Sequence, residues 1–387
     1  MPHSLLTAQT PQRKPGLLER FGVWYYRRLQ ARPPQEPVGQ VSDAQVCARL
    51  TRLVQGHAAV AFAIGGLSAA GSAYVSYRYY DMPDYFWEGN LVLVLVTLGL
   101  SAIEFAVLFW LALRLVYYLA RVAGHDLTAT DPVYAPDSFQ YLMARAALEV
   151  PDPVLRYLDL DPLARVPRQR LWLVGLLYKV KVGGTSVFLR LLVVRLLGKS
   201  LLRYARYTYF IAIPVTGFWN AWTLYKVAAD ARLRLYGNRL AHRVAEQLRQ
   251  WHAATPLSPL AQVAVFEAVG NTVVLTQNYH PNMVLLLIRL REVLPEVAHG
   301  RLDDWDRFVG HLAQLPGPEQ ALLRNLLVLA SAFDGTFSAL ERHELPDAFG
   351  AHMPLYAQRI RHLRRALRRG RFEAALPLAD LAFDPTH

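Results

Sequence analysis

Two long apolar runs, residues 58–77 and 91–120, dominate the hydropathy pattern, and elsewhere apolar and charged positions interleave at helical spacing. The first run has no ionisable side chain except tyrosine. Over about 20 residues rising about 1.5 Å each it matches the roughly 30 Å hydrocarbon core of a bilayer. The second carries Glu104 and Arg114. At about 45 Å it is too long for the core and must tilt or extend into the cytoplasm. Joined by the loop 78–90, the runs predict a transmembrane helical hairpin, because a chain in lipid must satisfy its backbone hydrogen bonds segment by segment. No strand-like alternation persists anywhere, so the predicted fold class is all-α: a two-helix transmembrane hairpin, membrane-apposed amphipathic helices and a C-terminal cytoplasmic helical domain.

The flanking pattern divides the chain into five parts. Residues 1–56 form a basic N-terminal cytoplasmic region whose stretch 16–32 sets Leu17, Phe21, Trp24 and Leu29 against Arg20, Arg27, Arg28 and Arg32. That spacing fits an interfacial helix, and equally a soluble helix packed on the cytoplasmic domain. Residues 57–121 are the hairpin, 122–164 a proline-punctuated helical connector, 165–243 a basic membrane-apposed segment, and 244–387 a helical cytoplasmic domain. Within the basic segment, 187–197 is apolar but interrupted by Arg190 and Arg195, which suits a surface helix rather than a crossing. The stretch 207–225 has no charge, yet Pro214, Thr216, Gly217 and Asn220 make its centre polar. A re-entrant or membrane-apposed helical pair broken around Pro214–Asn220 is expected, with a true crossing as the alternative. Short helices at 240–251, 260–269, 283–293, 302–315, 319–333, 338–345 and 355–369 fill the last domain.

Charge sharpens this picture. The net charge of +12 arises in one segment: Arg165 to Arg243 holds fifteen Lys and Arg against the single acid Asp230. A basic surface beside a membrane anchor points to anionic lipid as partner rather than to nucleic acid, for which no recognised module occurs. Residues 1–56 hold eight Lys and Arg against three acids, while the hairpin loop holds Arg78 against Asp81, Asp84 and Glu88. Both termini are therefore expected in the cytoplasm. Trp87 and its neighbouring aromatics mark the outer interface, and Arg114 the inner one, where it can snorkel beside Tyr117 and Tyr118. The first 15 residues contain no apolar h-region, so no cleavable signal peptide is expected. The single cysteine, Cys47, excludes an internal disulfide framework.

Few residues invite chemistry. Glu104 falls roughly 20 Å from the outer end of its helix, a depth at which an ionisable group is a functional hypothesis by default. The first span offers no basic partner, so Glu104 is expected to hydrogen-bond Ser68, Ser72 or a backbone carbonyl. The small residues Gly65, Gly66, Ala69 and Ala70 allow close approach of a second helix or a second copy of the chain. The run Lys179–Ser186 lacks the lysine placement of a phosphate loop. Its backbone amides, with Lys179, Lys181, Arg190 and Arg195, could still hold a lipid phosphate. The histidines show no metal-ligand spacing, and neither a nucleophile elbow nor a dinucleotide fingerprint occurs.

Residues 329–341 read as a helix ending at Asp334-Gly335, with Phe337 docked in the turn, Ser338 as N-cap and Glu341 at the N3 position. Over roughly residues 319–363 this resembles the TerB-like family of helical modules. The resemblance implies a stress-response module at the inner membrane face, with Asp334 and Glu341 at positions linked to divalent metal binding. A capping turn explains the same residues. The run Ile213-Pro214, Gly217, Asn220, Asp230, Arg232 resembles the EcsC family of membrane-associated bacterial proteins. Together these imply a bacterial inner-membrane location and protein partners. The expected function is a non-enzymatic scaffold or adaptor in envelope or metal stress; the alternatives are an oligomeric transporter or channel component built around Glu104 and a lipid-acting enzyme around 179–186. The topology has a direct check. A cysteine at Asp84 should react with a membrane-impermeant thiol reagent on intact cells, and labelling only after lysis would refute it.

Overall fold

The structure, a computed structural model, describes residues 16–30, 43–79, 86–125, 139–149, 160, 205–277, 280–295 and 301–384. It is all-helical, with no strand among the described residues. In chain order the described α-helices are α1 (Leu17–Gln30), α2 (Asp43–Tyr79), α3 (Phe86–Val122), α4 (Phe139–Ala147), α5 (Ala205–Ala254), α6 (Pro259–Thr276), α7 (Pro281–Val293), α8 (Trp305–Gln314), α9 (Gly317–Phe333), α10 (Ala339–Phe349), α11 (Met353–Arg369) and α12 (Phe372–Ala375). They fall into two compact units. One comprises the described parts of Thr51–Tyr117 and Pro167–Ala228, the other those of Met1–Leu50, Tyr118–Val166 and Ala229–His387.

Among the described residues three helices are long and apolar enough to cross a membrane by length and composition: Ala44–Val75 within α2, Leu95–Val122 within α3, and α6. The sequence pattern identified the first two. The third differs in what surrounds it, since 78% of its window is buried inside the protein against 28% and 22% for the other two. α6 is apolar on every side because helices α7, α8, α9 and α10 pack around it. Its start is set by Ser258, whose hydroxyl accepts from the Ala261 amide, and by Pro259 in the first turn.

α5 corrects the expected break at Pro214–Asn220. It is one helix of 50 residues with Pro214 inside it, and it absorbs the separate helix expected at 240–251. Proline removes a single ladder bond, and close packing of the following turns on a neighbouring helix carries the helix through it. In the first unit that neighbour is α2, met through two glycines. A Cβ on Gly65 would lie 2.8 Å from the Thr216 carbonyl oxygen and against the Asn220 amide, and one on Gly217 would lie 2.8 Å from the Phe62 carbonyl oxygen. Only hydrogen fits at either position, so the two backbones touch. From residue 61 onward the buried stripe of α2 is made of small residues, Ala61, Gly65, Ser68, Ala69 and Ala73. Gly71 faces the Leu100 side chain of α3.

In the second unit, buried polar side chains tie helices to distant carbonyls. The Asn282 amide donates to the carbonyls of Leu233 at 3.0 Å and Phe333 at 3.3 Å. Arg232 donates to the Leu50 carbonyl at 3.1 Å, and Arg234 to the Leu142 carbonyl at 3.3 Å and Asp230 at 2.8 Å. Both arginines are buried, so this end of the basic segment works inside the protein rather than as a free cationic surface. Asn325 and Arg359 form a clasp. The Asn325 amide donates to the carbonyls of Leu381 at 2.9 Å and Phe383 at 2.8 Å. Arg359 donates to those of Leu378 and Asp380, both at 2.7 Å, and to the Asn325 side-chain oxygen. Replacing Arg359 by Met leaves the buried Asn325 oxygen and two part-buried carbonyls without this donor, and an unsatisfied buried acceptor costs about 1–3 kcal/mol. Arg359→Met should therefore lower the denaturation midpoint of the purified full-length chain and expose residues 378–383 to protease; an unchanged midpoint and cleavage pattern would show that the clasp is energetically idle.

Candidate functional site

Two polar centres bear on the residues singled out by the sequence. The first lies among the apolar helices of the first unit. Glu104 on α3 is 5% exposed and Asn220 on α5 is 2% exposed. The Asn220 side-chain amide donates to Glu104 Oε1 at 2.7 Å. Asn220 was visible in sequence only as a polar interruption of an apolar run, and it was not among the partners expected for Glu104. Among the described residues the buried Ser68 hydroxyl has no hydrogen-bond partner, and the Ser72 hydroxyl donates to the Ser68 carbonyl at 3.2 Å. Gly65 provides the room for this pairing, because any side chain there would displace the Asn220 amide. The arrangement is an interhelical hydrogen bond seated where backbones are in contact.

Two further residues singled out by the sequence belong to α3. Arg114, further along α3, is half-buried, and its guanidinium sits 5.3 Å from the Trp110 ring centroid. The contact is of cation–π type. Trp87 falls in the first turn of α3. Lys179, Lys181, Arg190 and Arg195 lie outside the described residues.

The second centre is the turn between α9 and α10. Asp334 accepts from the Thr336 amide at 2.8 Å and from the Thr336 hydroxyl, while Gly335 takes the left-handed conformation at φ 72° that favours glycine. Ser338 and Glu341 form a reciprocal capping box. The Glu341 amide donates to the Ser338 hydroxyl oxygen at 2.9 Å, and the Ser338 amide donates to Glu341 Oε2 at 2.7 Å. Burial pushes the Glu341 carboxyl up to about 8, with the Asp334 charge adding to the effect. Burial likewise raises Asp334. The Ser331 hydroxyl beside Glu341 opposes part of that carboxyl's rise. Arg364, stacked 5.5 Å from the Phe337 ring centroid, supplies positive charge to both carboxyls.

This donor set suits a turn better than a divalent ion. Ca²⁺ takes about six to eight oxygens, whereas here two carboxyls are committed to amide and hydroxyl donors and sit beside a guanidinium. Among the described residues no group of three or more His, Cys, Asp and Glu is placed to hold a metal ion. A third cluster escaped the sequence pattern. Glu267 of α6 is fully buried, accepting from Arg307 Nε at 2.8 Å and paired with His311 Nδ1 at 2.8 Å. Its partners lie 40 and 44 positions away on α8, so no local signal announces them.

The raised Glu341 carboxyl has a pH signature. Its folded state keeps a proton that the unfolded chain releases near the ordinary value of 4.5. Stability from this group is therefore complete below pH 4.5 and is lost as pH rises to about 8. Glu341→Gln should flatten the fall in melting temperature across that window while keeping the side-chain acceptor of the capping box; an unaltered slope would show that Glu341 is not the group responsible.

Comparison of the chain with family models, with curated proteins and with solved structures gives no match. The TerB-like and EcsC-like resemblances accordingly rest on the residues quoted for them.

Proposed function

We propose that the protein is a non-enzymatic scaffold of a bacterial inner membrane, in which α2 and α3 form the transmembrane hairpin and the C-terminal helical unit, as a TerB-like module, recruits protein partners during envelope or metal stress. The observation that carries this reading is the Glu104–Asn220 hydrogen bond at 2.7 Å, set against the backbone contact at Gly65 and Gly217. An ion pathway needs a polar group facing space or water. Here the carboxyl at membrane depth is committed to an amide on a close-packed neighbour, which is the chemistry of interhelical adhesion. The exposed apolar side chains of the same unit fit a lipid surround: Val60, Phe62, Leu67, Leu95, Leu98 and Ile103 all point outward.

α5 fits this body as a further membrane-embedded helix. Its exposed aromatics Phe218, Trp222 and Tyr225 stack in succession, with Lys226 placed 6.0 Å from the Trp222 ring centroid, as at a membrane interface. α6 belongs with the soluble unit. A fully buried Glu267 with Arg307 and His311 as partners is at home in a protein core and costly against lipid.

Reconstitution in proteoliposomes separates adhesion from transport. Glu104→Gln should leave assembly and ion leak unchanged, because an amide still pairs with Asn220. Asn220→Leu should destabilise the chain by about 1–3 kcal/mol in detergent unfolding, since it removes a hydrogen-bond donor from a buried carboxyl. Proton or cation flux in the wild type that is abolished by Glu104→Gln would overturn the scaffold reading in favour of a transporter.

A further inference from the structure

α1 presents two faces of different chemistry. Its inner face buries Glu19, Gly22, Val23, Tyr26 and Leu29. Two polar contacts fix the helix on α4: Arg145 Nε meets Glu19 Oε1 at 3.2 Å with both side chains buried, and the Tyr26 hydroxyl donates to the Met143 carbonyl at 3.3 Å. These bonds set the rotation of the helix about its axis and so decide what faces outward.

What faces outward is an apolar row flanked by cations. Leu17 is 84% exposed and Trp24 51%, with Phe21 between them one turn from each. The Phe21 and Trp24 rings lie 5.7 Å apart, and the Arg28 guanidinium sits 5.5 Å from the Trp24 ring centroid. Arg20, Arg27 and Arg28 are exposed alongside. The only acid of the helix, Glu19, is turned inward and paired. The outer face of α1 is thus apolar, aromatic and positive, and the helix itself sets no carboxylate against it.

We infer that this face binds anionic phospholipid, with Phe21 and Trp24 at the boundary between headgroups and acyl chains and Arg20, Arg27 and Arg28 on the lipid phosphates. Charge complementarity selects this occupant. Three cations around an aromatic row match a negative leaflet, and Trp is at home at headgroup depth. Arginine stems can also lie along the apolar surface while their heads reach the phosphates. The inference rests on the membrane reading proposed above and adds a second, peripheral attachment to it.

The test uses the full-length chain in lipid nanodiscs, with Cys47→Ser and a single environment-sensitive fluorophore on Phe21→Cys. In phosphatidylcholine discs containing about a third phosphatidylglycerol, lipids spin-labelled near the headgroup should quench the fluorophore and aqueous iodide should not. Arg20→Gln, Arg27→Gln and Arg28→Gln combined should weaken the contact, by roughly fivefold per charge removed. None of the three contributes to the buried face, so the fold should persist. Free quenching by iodide, or protection from iodide without quenching by lipid, overturns the inference, the latter by identifying a protein occupant. A second fluorophore on Leu98→Cys of α3 separates the two claims. Lipid quenching there with none at position 21 refutes this site alone, and no lipid quenching at position 98 refutes the membrane reading and this site with it.

Discussion

A polar group withdrawn from water must find a partner, and most of the long-range order of this chain follows from that constraint. In the apolar unit the constraint acts at Glu104 and Asn220, where two helices of low sequence specificity acquire a fixed register. In the other unit it acts repeatedly. Glu19 fastens α1 to α4, Glu267 fastens α6 to α8, and Asn282 gathers carbonyls from α5 and α9. Apolar burial supplies the driving force in each unit, but it is non-directional. The buried amides, carboxyls and guanidinium groups choose which of many greasy packings is adopted.

Exposure distinguishes helices that composition alone confuses. α3 and α6 are both apolar enough to cross a bilayer. α6 is enclosed by its neighbours and carries a charged residue satisfied by theirs, whereas the outer surface of α3 is apolar and open, with Leu95, Leu98 and Ile103 exposed. Each helix carries an acid bonded by a neighbouring helix, Glu104 on α3 and Glu267 on α6, so the two differ in the exposure of their apolar side chains.

Sequence carried the local features and lost the distant ones. The lengths of the runs at 58–77 and 91–120, the small residues of α2 and the Ser338–Glu341 capping box all depend on neighbours within a turn or a few turns, and each was legible. Asn220 as the partner of Glu104 was not, because the two are 116 positions apart and neither residue encodes the other. The continuity of α5 was hidden by Pro214, whose local signal for a break is overruled by packing. Arg232 and Arg234 read as interfacial positive charges from composition, and burial against the Leu50 and Leu142 carbonyls removes them from that role. At the Asp334 turn the residues were identified correctly, while the raised Glu341 carboxyl depended on burial that no spacing reveals.

The clasp made by Asn325 and Arg359 also orders events during synthesis. The carbonyls it holds belong to residues 378–383, some 20 to 60 positions downstream of the side chains that grip them. As the chain emerges from the ribosome from its N-terminal end, α9 and α11 can meet early, yet their shared polar groups stay unmatched until those later residues arrive. The interface between these two helices is therefore sealed by a segment made after both of them, and a nascent chain stalled before it presents a bundle that is packed but not locked.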